Sequence, residues 1–148
     1  MNETTASQPG HKIAILPLVA ALVALVGLAD SIYLTINHFT GEKVPCSVTG
    51  GCEAVLTSSY AEIAGVPLAL FGAAAYFTAF SLAVLAAFGN RRMWLVFGVA
   101  ATLMAGFSIY LICVQKFVIG EFCQFCLLSA ATSVTLFLIA IFSRFWRG

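Results

Sequence analysis

The sequence predicts an all-α membrane protein: a four-transmembrane-helix bundle with a short interfacial helix in its first outer loop. Of its 148 residues, 61% are hydrophobic and only 9% charged, where soluble domains average about 25% charged residues and under half apolar ones. The apolar residues fall into four runs, each close to the 20 or so that a helix needs to cross the hydrocarbon core. One long polar stretch and two tight turns separate them. A surface this apolar needs lipid as its solvent. The net charge is +1, so no basic stripe exists to neutralise phosphates, and nucleic acid is excluded as a partner. A chain of this length fills one bundle and leaves no room for a second domain.

Residues 1–12 carry Asn, Thr, Ser, Gln, Pro and Gly and read as a disordered cytoplasmic tail. Residues 13–148 then make the single membrane domain. The first run, residues 13–36, is too long for the apolar part of a signal peptide, and no small-x-small cleavage site follows it. It reads as the first spanning helix. Residues 37–65 form the outer loop, holding Cys46, Gly50, Gly51 and Cys52. From Cys52 to Ala64 the loop patterns as a short amphipathic helix. Ala54, Val55, Tyr60 and Ile63 supply its apolar side, with Glu53, Thr57, Ser58 and Glu62 elsewhere. Gly65 suits the end of that helix, and Pro67 the first turn of the next. Residues 66–88 form the second spanning helix, whose Gly72, Ala73, Ala74 and Ala75 allow close helix approach. A turn at Gly89-Asn90-Arg91-Arg92 leads to the third, residues 93–117. Gly120-Glu121 turns the chain into the fourth, residues 122–142. Trp94 and Trp146 fall at helix ends, where aromatic belts sit.

Charge sets the expected orientation. With both termini cytoplasmic, Lys12, Arg91, Arg92, Arg144 and Arg147 lie inside, and only Lys43 and Lys116 outside. Cys46 and Cys52 then sit in the outer loop, with Cys123 and Cys126 opening the last helix at the same surface. All four thiols face an oxidising compartment, where disulfides persist.

Cys123-Gln124-Phe125-Cys126 is a C-x-x-C unit at a helix start, where free backbone N–H groups and partial positive charge stabilise a thiolate. Such a unit also marks half a zinc site. The other pair, Cys46-x5-Cys52, lacks the matching spacing, and neither His11 nor His38 is placed to complete a site. Redox chemistry is therefore preferred over metal binding. A Cys46–Cys52 disulfide alone reads as a static clip. Gly50 and Gly51 add mobility, and a second pair on the same face favours exchange between pairs. Cys113 in the third helix reads as a buried small hydrophobe without a role. Asp30 suggests function in a membrane helix, although an interfacial cap explains it equally. Phe71, Phe77, Phe80, Phe107, Tyr110, Phe122 and Phe125 are candidates to line a flat apolar site, each with plain packing as the alternative.

The Cys-x5-Cys loop, Ser58, Gly65-Val66-Pro67-Leu68-Ala69 and the late C-x-x-C, in that order, resemble the vitamin K epoxide reductase family. The likeness runs from Asp30 to Cys126. DsbB-type quinone reductases also have four helices and two pairs, but there the C-x-x-C comes first. The resemblance implies a bundle around a quinone, ubiquinone or menaquinone, with the loop helix as a lid. By position it makes Cys126 the thiolate that meets the quinone and Cys123 its partner. Cys52 would exchange with Cys123, and Cys46 would face the external redox protein. Ser58 matches a family serine, and Phe122 and Phe125 flank the site. The expected partner is a separate periplasmic DsbA-like thioredoxin-fold protein, because bacterial relatives often carry such a domain fused and this sequence ends at Gly148. The expected location is the bacterial inner (plasma) membrane. Ala130 stands where animal enzymes carry a tyrosine linked to antagonist binding. Quinone-dependent disulfide formation is the activity so implied. The alternatives are vitamin K epoxide reduction in the same scaffold and a non-catalytic protein with two structural disulfides.

Overall fold

The computed structural model describes residues 11–43 and 52–147. Helix α1 is His11–Thr40, and a short α2 covers Cys52–Leu56. A 3-10 turn, Ser59–Ala61, leads into a small hairpin of β1 (Glu62–Ile63) and β2 (Val66–Pro67). Its antiparallel register sets Glu62 opposite Pro67 and Ile63 opposite Val66. Three long helices follow: α3 (Leu68–Ala87), α4 (Arg91–Val114) and α5 (Gln124–Arg147). A π-helical turn, Gln115–Ile119, extends α4. Among the described residues, α1, α3, α4 with its π turn, and α5 are long and apolar enough to cross a membrane. The chain is the predicted four-helix membrane bundle.

Lipid is as apolar as leucine, so these helices associate through close packing and buried hydrogen bonds rather than water exclusion. Small residues make that packing. Ala20, Ala21 and Ala24 of α1 and Ala79 and Ala83 of α3 share one core with Tyr76, Phe97 and Leu136. At Gly27 the approach is closest: a Cβ there would lie 2.2 Å from Cε1 of Tyr76. The Tyr76 hydroxyl ties α3 to α5, donating to the Ser129 carbonyl and lying 2.6 Å from Thr132 Oγ1 and 2.7 Å from Ser133 Oγ. Near the other end of the bundle, Trp94 Nε1 donates to Ser143 Oγ at 2.8 Å.

The structure corrects several boundaries. Helix α1 continues through Thr40, beyond the expected end at residue 36. The Thr35, Asn37 and Thr40 side chains donate to the carbonyls of Ser31, Tyr33 and Ile36 at 2.7, 2.8 and 3.0 Å, so polar residues stay helical. Helix α5 likewise runs past residue 142. The loop helix is broken rather than continuous to Ala64. Ser58 Oγ donates to the Val55 carbonyl at 2.7 Å and competes with the next helical turn. Ala64 and Gly65, at φ 54° and 83°, make the two-residue hairpin turn that needs positive φ at both positions. Gly65 thus turns a hairpin instead of ending a helix, and Pro67 sits just before α3. Trp94 is buried against Phe97 with its ring stacked at 4.7 Å, whereas Trp146 is exposed as an interfacial residue would be.

Candidate functional site

The last turn of α4 prepares the site. A π turn carries an extra residue, and such turns recur at functional positions. This one turns Gln115 inward until its side chain is buried, and Gly120, at φ 77°, closes it by donating to the Gln115 carbonyl at 2.8 Å. Gln115 Oε1 accepts the backbone N–H of Cys123 at 3.1 Å.

Cys123 stands just ahead of α5 and caps it. Its carbonyl accepts the Leu127 N–H at 2.9 Å, and its sulfur accepts the Cys126 N–H at 3.4 Å. A helix start leaves such N–H groups without intrahelical partners. The sulfur atom therefore takes the place usually held by a Ser or Asp oxygen.

The Cys123 thiol is held down to about 7 from its ordinary range. The hydrogen bond from the Cys126 side chain is the main cause, followed by the burial that opposes it; the Cys126 and Phe125 N–H groups help, and Asp30 pushes back. A thiolate near neutral pH is the reactive form in disulfide exchange.

The two sulfurs differ in exposure. Cys123 is fully buried and Cys126 is partly open. The cover over Cys123 is α2, whose Val55 packs against it with Leu56, Ile119, Phe125 and Cys126 around them. Val55 lies three residues after Cys52, so the helix that covers Cys123 begins at the loop cysteine. Cys46 lies outside the described residues, and of Cys52 only the backbone is described.

Beneath the loop is a cavity of about 700 Å³ between the four spanning helices. Cys126, Ser58, Phe71 and Phe107, all singled out in the sequence, line it. So do Gln115, Tyr76, Ser129 and Ser133. His38 Nε2 and Glu62 Oε1, 3.1 Å apart, tie α1 to β1 on its wall. Phe122, Phe125, Phe77, Phe80 and Tyr110 do not line it. Phe125 is drawn toward α1, its ring 5.3 Å from that of Tyr33. Cys113, expected to be buried, is exposed on the outer side of α4.

Two site residues escaped the sequence reading. Gln115 carried a usable signal, an amide in an apolar run, where a polar side chain needs a partner. For Tyr76 the signal was divided between helices: Ser129, Thr132 and Ser133 share a face at i, i+3 and i+4, and only packing brings the phenol to them.

The vitamin K epoxide reductase family model matches residues 18–141, from the first third of α1 to near the end of α5. The chain belongs to the vitamin K epoxide reductase family. The match spans both cysteine pairs and the whole cavity, as the order of motifs had implied. A family relative is the thiol-disulfide oxidoreductase LTO1 of Arabidopsis thaliana, 30% identical over 123 residues. That alignment covers 77% of this chain and 33% of LTO1, so the chain spans about a third of the length of the curated relative it matches.

Proposed function

We propose that this chain is a quinone-linked thiol oxidoreductase that makes disulfides, taking electrons from a reduced thioredoxin-fold partner. The observation that carries the reading is the seat of α2: a helix beginning at Cys52 covers Cys123 through Val55. From that seat of α2, exchange between the loop couple and the C-x-x-C pair would need no crossing of the membrane.

The relay uses four sulfurs. A partner thiolate attacks Cys46 of the Cys46–Cys52 disulfide, and Cys52 leaves as a thiolate. Cys52 attacks Cys123, the Cys123–Cys126 bond breaks, and its electron pair departs on Cys126. The partner's second thiol displaces Cys46 and closes the partner's own disulfide; Cys46 then attacks Cys52, re-forming the Cys46–Cys52 bond and freeing Cys123. Cys126 stands as a thiolate at the cavity wall. Partners of the DsbA kind have potentials around −120 mV, so the terminal acceptor must be more oxidising still. A membrane quinone, bound in the cavity, supplies an acceptor for two electrons and two protons.

The residues fit such a group. The cavity volume lies within the roughly 300–1,000 Å³ range of small-molecule sites. Phe71 and Phe107 give apolar walls, and Ser58, Tyr76, Ser129 and Ser133 bring hydroxyls to it. LTO1 is a thiol-disulfide oxidoreductase, which supports thiol–disulfide chemistry here. We place the protein in a bacterial inner membrane with its cysteine pairs on the outer face, the side that the cationic residues leave. There a separate DsbA-like protein would be its substrate.

The test is oxidation of a reduced DsbA-like protein by the purified chain with ubiquinone or menaquinone, for the wild type and each of four Cys→Ala variants. Wild-type turnover, abolished in all four, is expected. Cys126→Ala should still trap a Cys52–Cys123 mixed disulfide. Full quinone turnover by Cys126→Ala would overturn the assignment, and reduction of vitamin K epoxide without partner oxidation would reverse its direction.

A further inference from the structure

Asp30 is a carboxylate buried inside the bundle, 7% exposed, and neither oxygen has a hydrogen-bond partner among the described residues. A carboxylate without donors is strongly disfavoured in an apolar interior, and in a membrane helix it marks a functional position. Asp30 lies on α1, which packs against α5, and one turn along α1 from it the Tyr33 ring lies 5.3 Å from that of Phe125, inside the C-x-x-C unit. α3, the other helix packed on α1, carries no titratable side chain except Tyr76. Asp30 does not line the cavity, whereas Cys126 does. The carboxyl thus lies within one helical turn of the place where α1 touches the C-x-x-C unit, and it does not line the cavity.

The pair needs such a group at one point in its cycle. The Cys126 side chain gives the main hydrogen bond that stabilises a Cys123 thiolate. Once the Cys126 sulfur is bonded to an oxidant, its proton is gone and that bond is lost. Cys123, fully buried, then holds its own proton more tightly just when it must attack.

We propose that Asp30 is the proton acceptor that lets the Cys123/Cys126 pair close, an assignment that rests on the redox reading above. With Cys126 bonded to a leaving group, the Cys123 thiol gives its proton to the Asp30 carboxylate. The sulfur electron pair forms the Cys123–Cys126 bond, the bond from Cys126 to the leaving group breaks, and that pair departs with the group. Two electrons pass from the pair to the oxidant. Transfer over this range takes a rotamer change or one bridging water, as is common before a reactive complex tightens.

Glutathione disulfide tests this without quinone. The full chain carries Cys46→Ala, Cys52→Ala and Cys113→Ala, leaving the C-x-x-C pair alone. Closure of the Cys126–glutathione mixed disulfide is followed by quenched mass spectrometry across pH, beside an ultraviolet titration of the reduced pair. In Asp30→Asn the reduced pair should titrate at lower pH, because a neighbouring negative charge is gone. Closure should nevertheless slow on the order of a hundredfold near neutral pH, the lower end of general-base effects, and rise in proportion to hydroxide. Asp30→Glu should restore most of the rate. Asp30→Ser, which also lacks a base, gives the same reading if the Asn variant does not fold. Wild-type closure with an unchanged pH profile in either neutral variant would overturn the proposal, as would equal loss in Asp30→Glu. Failure of wild-type quinone turnover would sink the functional reading instead and leave this measurement standing.

Discussion

Val55 packs against Cys123, and the two form a buried cluster of their own, apart from the alanine-rich core that joins the spanning helices. Helix α2 is thus seated on the C-x-x-C pair through a contact set apart from the main core of the bundle. Exchange chemistry benefits from that arrangement, because a lid must be seated well enough to react and loosely enough to lift.

Val55→Ala should therefore separate exchange from stability. Loss of two methyl groups weakens the seat by on the order of 1 kcal/mol, typical of single substitutions, or about fivefold in the seated population. Transfer between the loop pair and Cys123 should slow by a similar factor, and alkylation of reduced Cys123 should quicken. Thermal unfolding of the bundle should hardly move. Equal losses in melting temperature and exchange rate would mean that α2 is part of the bundle core.

The pH dependence has a definite sign. The Cys123 thiol is lowered to about 7, against about 8.5 for a free cysteine. Its contribution to the stability of the reduced protein is present above the free-cysteine value and is lost as pH falls through about 7. Reactivity of the reduced pair toward a small alkylating reagent should accordingly rise through neutral pH. Cys126→Ala removes the leading hydrogen bond, so its midpoint should move up toward the ordinary value. A midpoint unchanged by that substitution would show that the helix N–H groups, not the neighbouring thiol, stabilise the charge.

Gly27 and Tyr76 make a stability prediction. A Cβ at residue 27 would lie 2.2 Å from Cε1 of the Tyr76 ring, which is fully buried. Gly27→Ala must displace the phenol from Ser129, Thr132 and Ser133, with an overpacking penalty of about 1–3 kcal/mol. Tyr76→Phe keeps the ring and removes one hydroxyl, costing about 1 kcal/mol, because Thr132 retains its bond to the Ser129 carbonyl at 2.7 Å. Unfolding in detergent should rank the wild type above Tyr76→Phe, and that variant above Gly27→Ala.

The four spans were legible because lipid imposes one rule on all of them: about 20 apolar residues with internally paired backbones. Their ends were less so. Residues 37–40 look like loop by composition, yet Asn37 and Thr40 bond back to their own helix. The break at Ser58 and the hairpin turn at Ala64 and Gly65 depend on local bonds and positive φ, and an amphipathic pattern does not register either. At the site, Cys126 and Ser58 were visible as motif members. The aromatics were not separable, since Phe71 on the cavity and Phe125 against Tyr33 differ only in which way each helix face turns. Gln115 and Tyr76 act through partners at least eight residues away, beyond any periodicity.

Gln115 offers the sharpest test of how the site is built. Its Oε1 accepts the Cys123 N–H at 3.1 Å, and the π turn exists at the point where that amide is needed. Gln115→Leu fills similar space but leaves a buried N–H unpaired, at a cost of about 1–3 kcal/mol. The released strand between Gly120 and Cys123 should let the sulfur leave its capping position, so that protection of the Cys126 amide from hydrogen exchange falls. Gln115→Glu keeps an acceptor but brings negative charge to a thiol already opposed by Asp30. Its expected signature is the opposite of a packing defect: near-normal melting at neutral pH, with the Cys123 titration moved upward. If Gln115→Leu leaves amide protection intact, or Gln115→Glu lowers the titration midpoint, the side chain is only filling space and the turn does not position the sulfur.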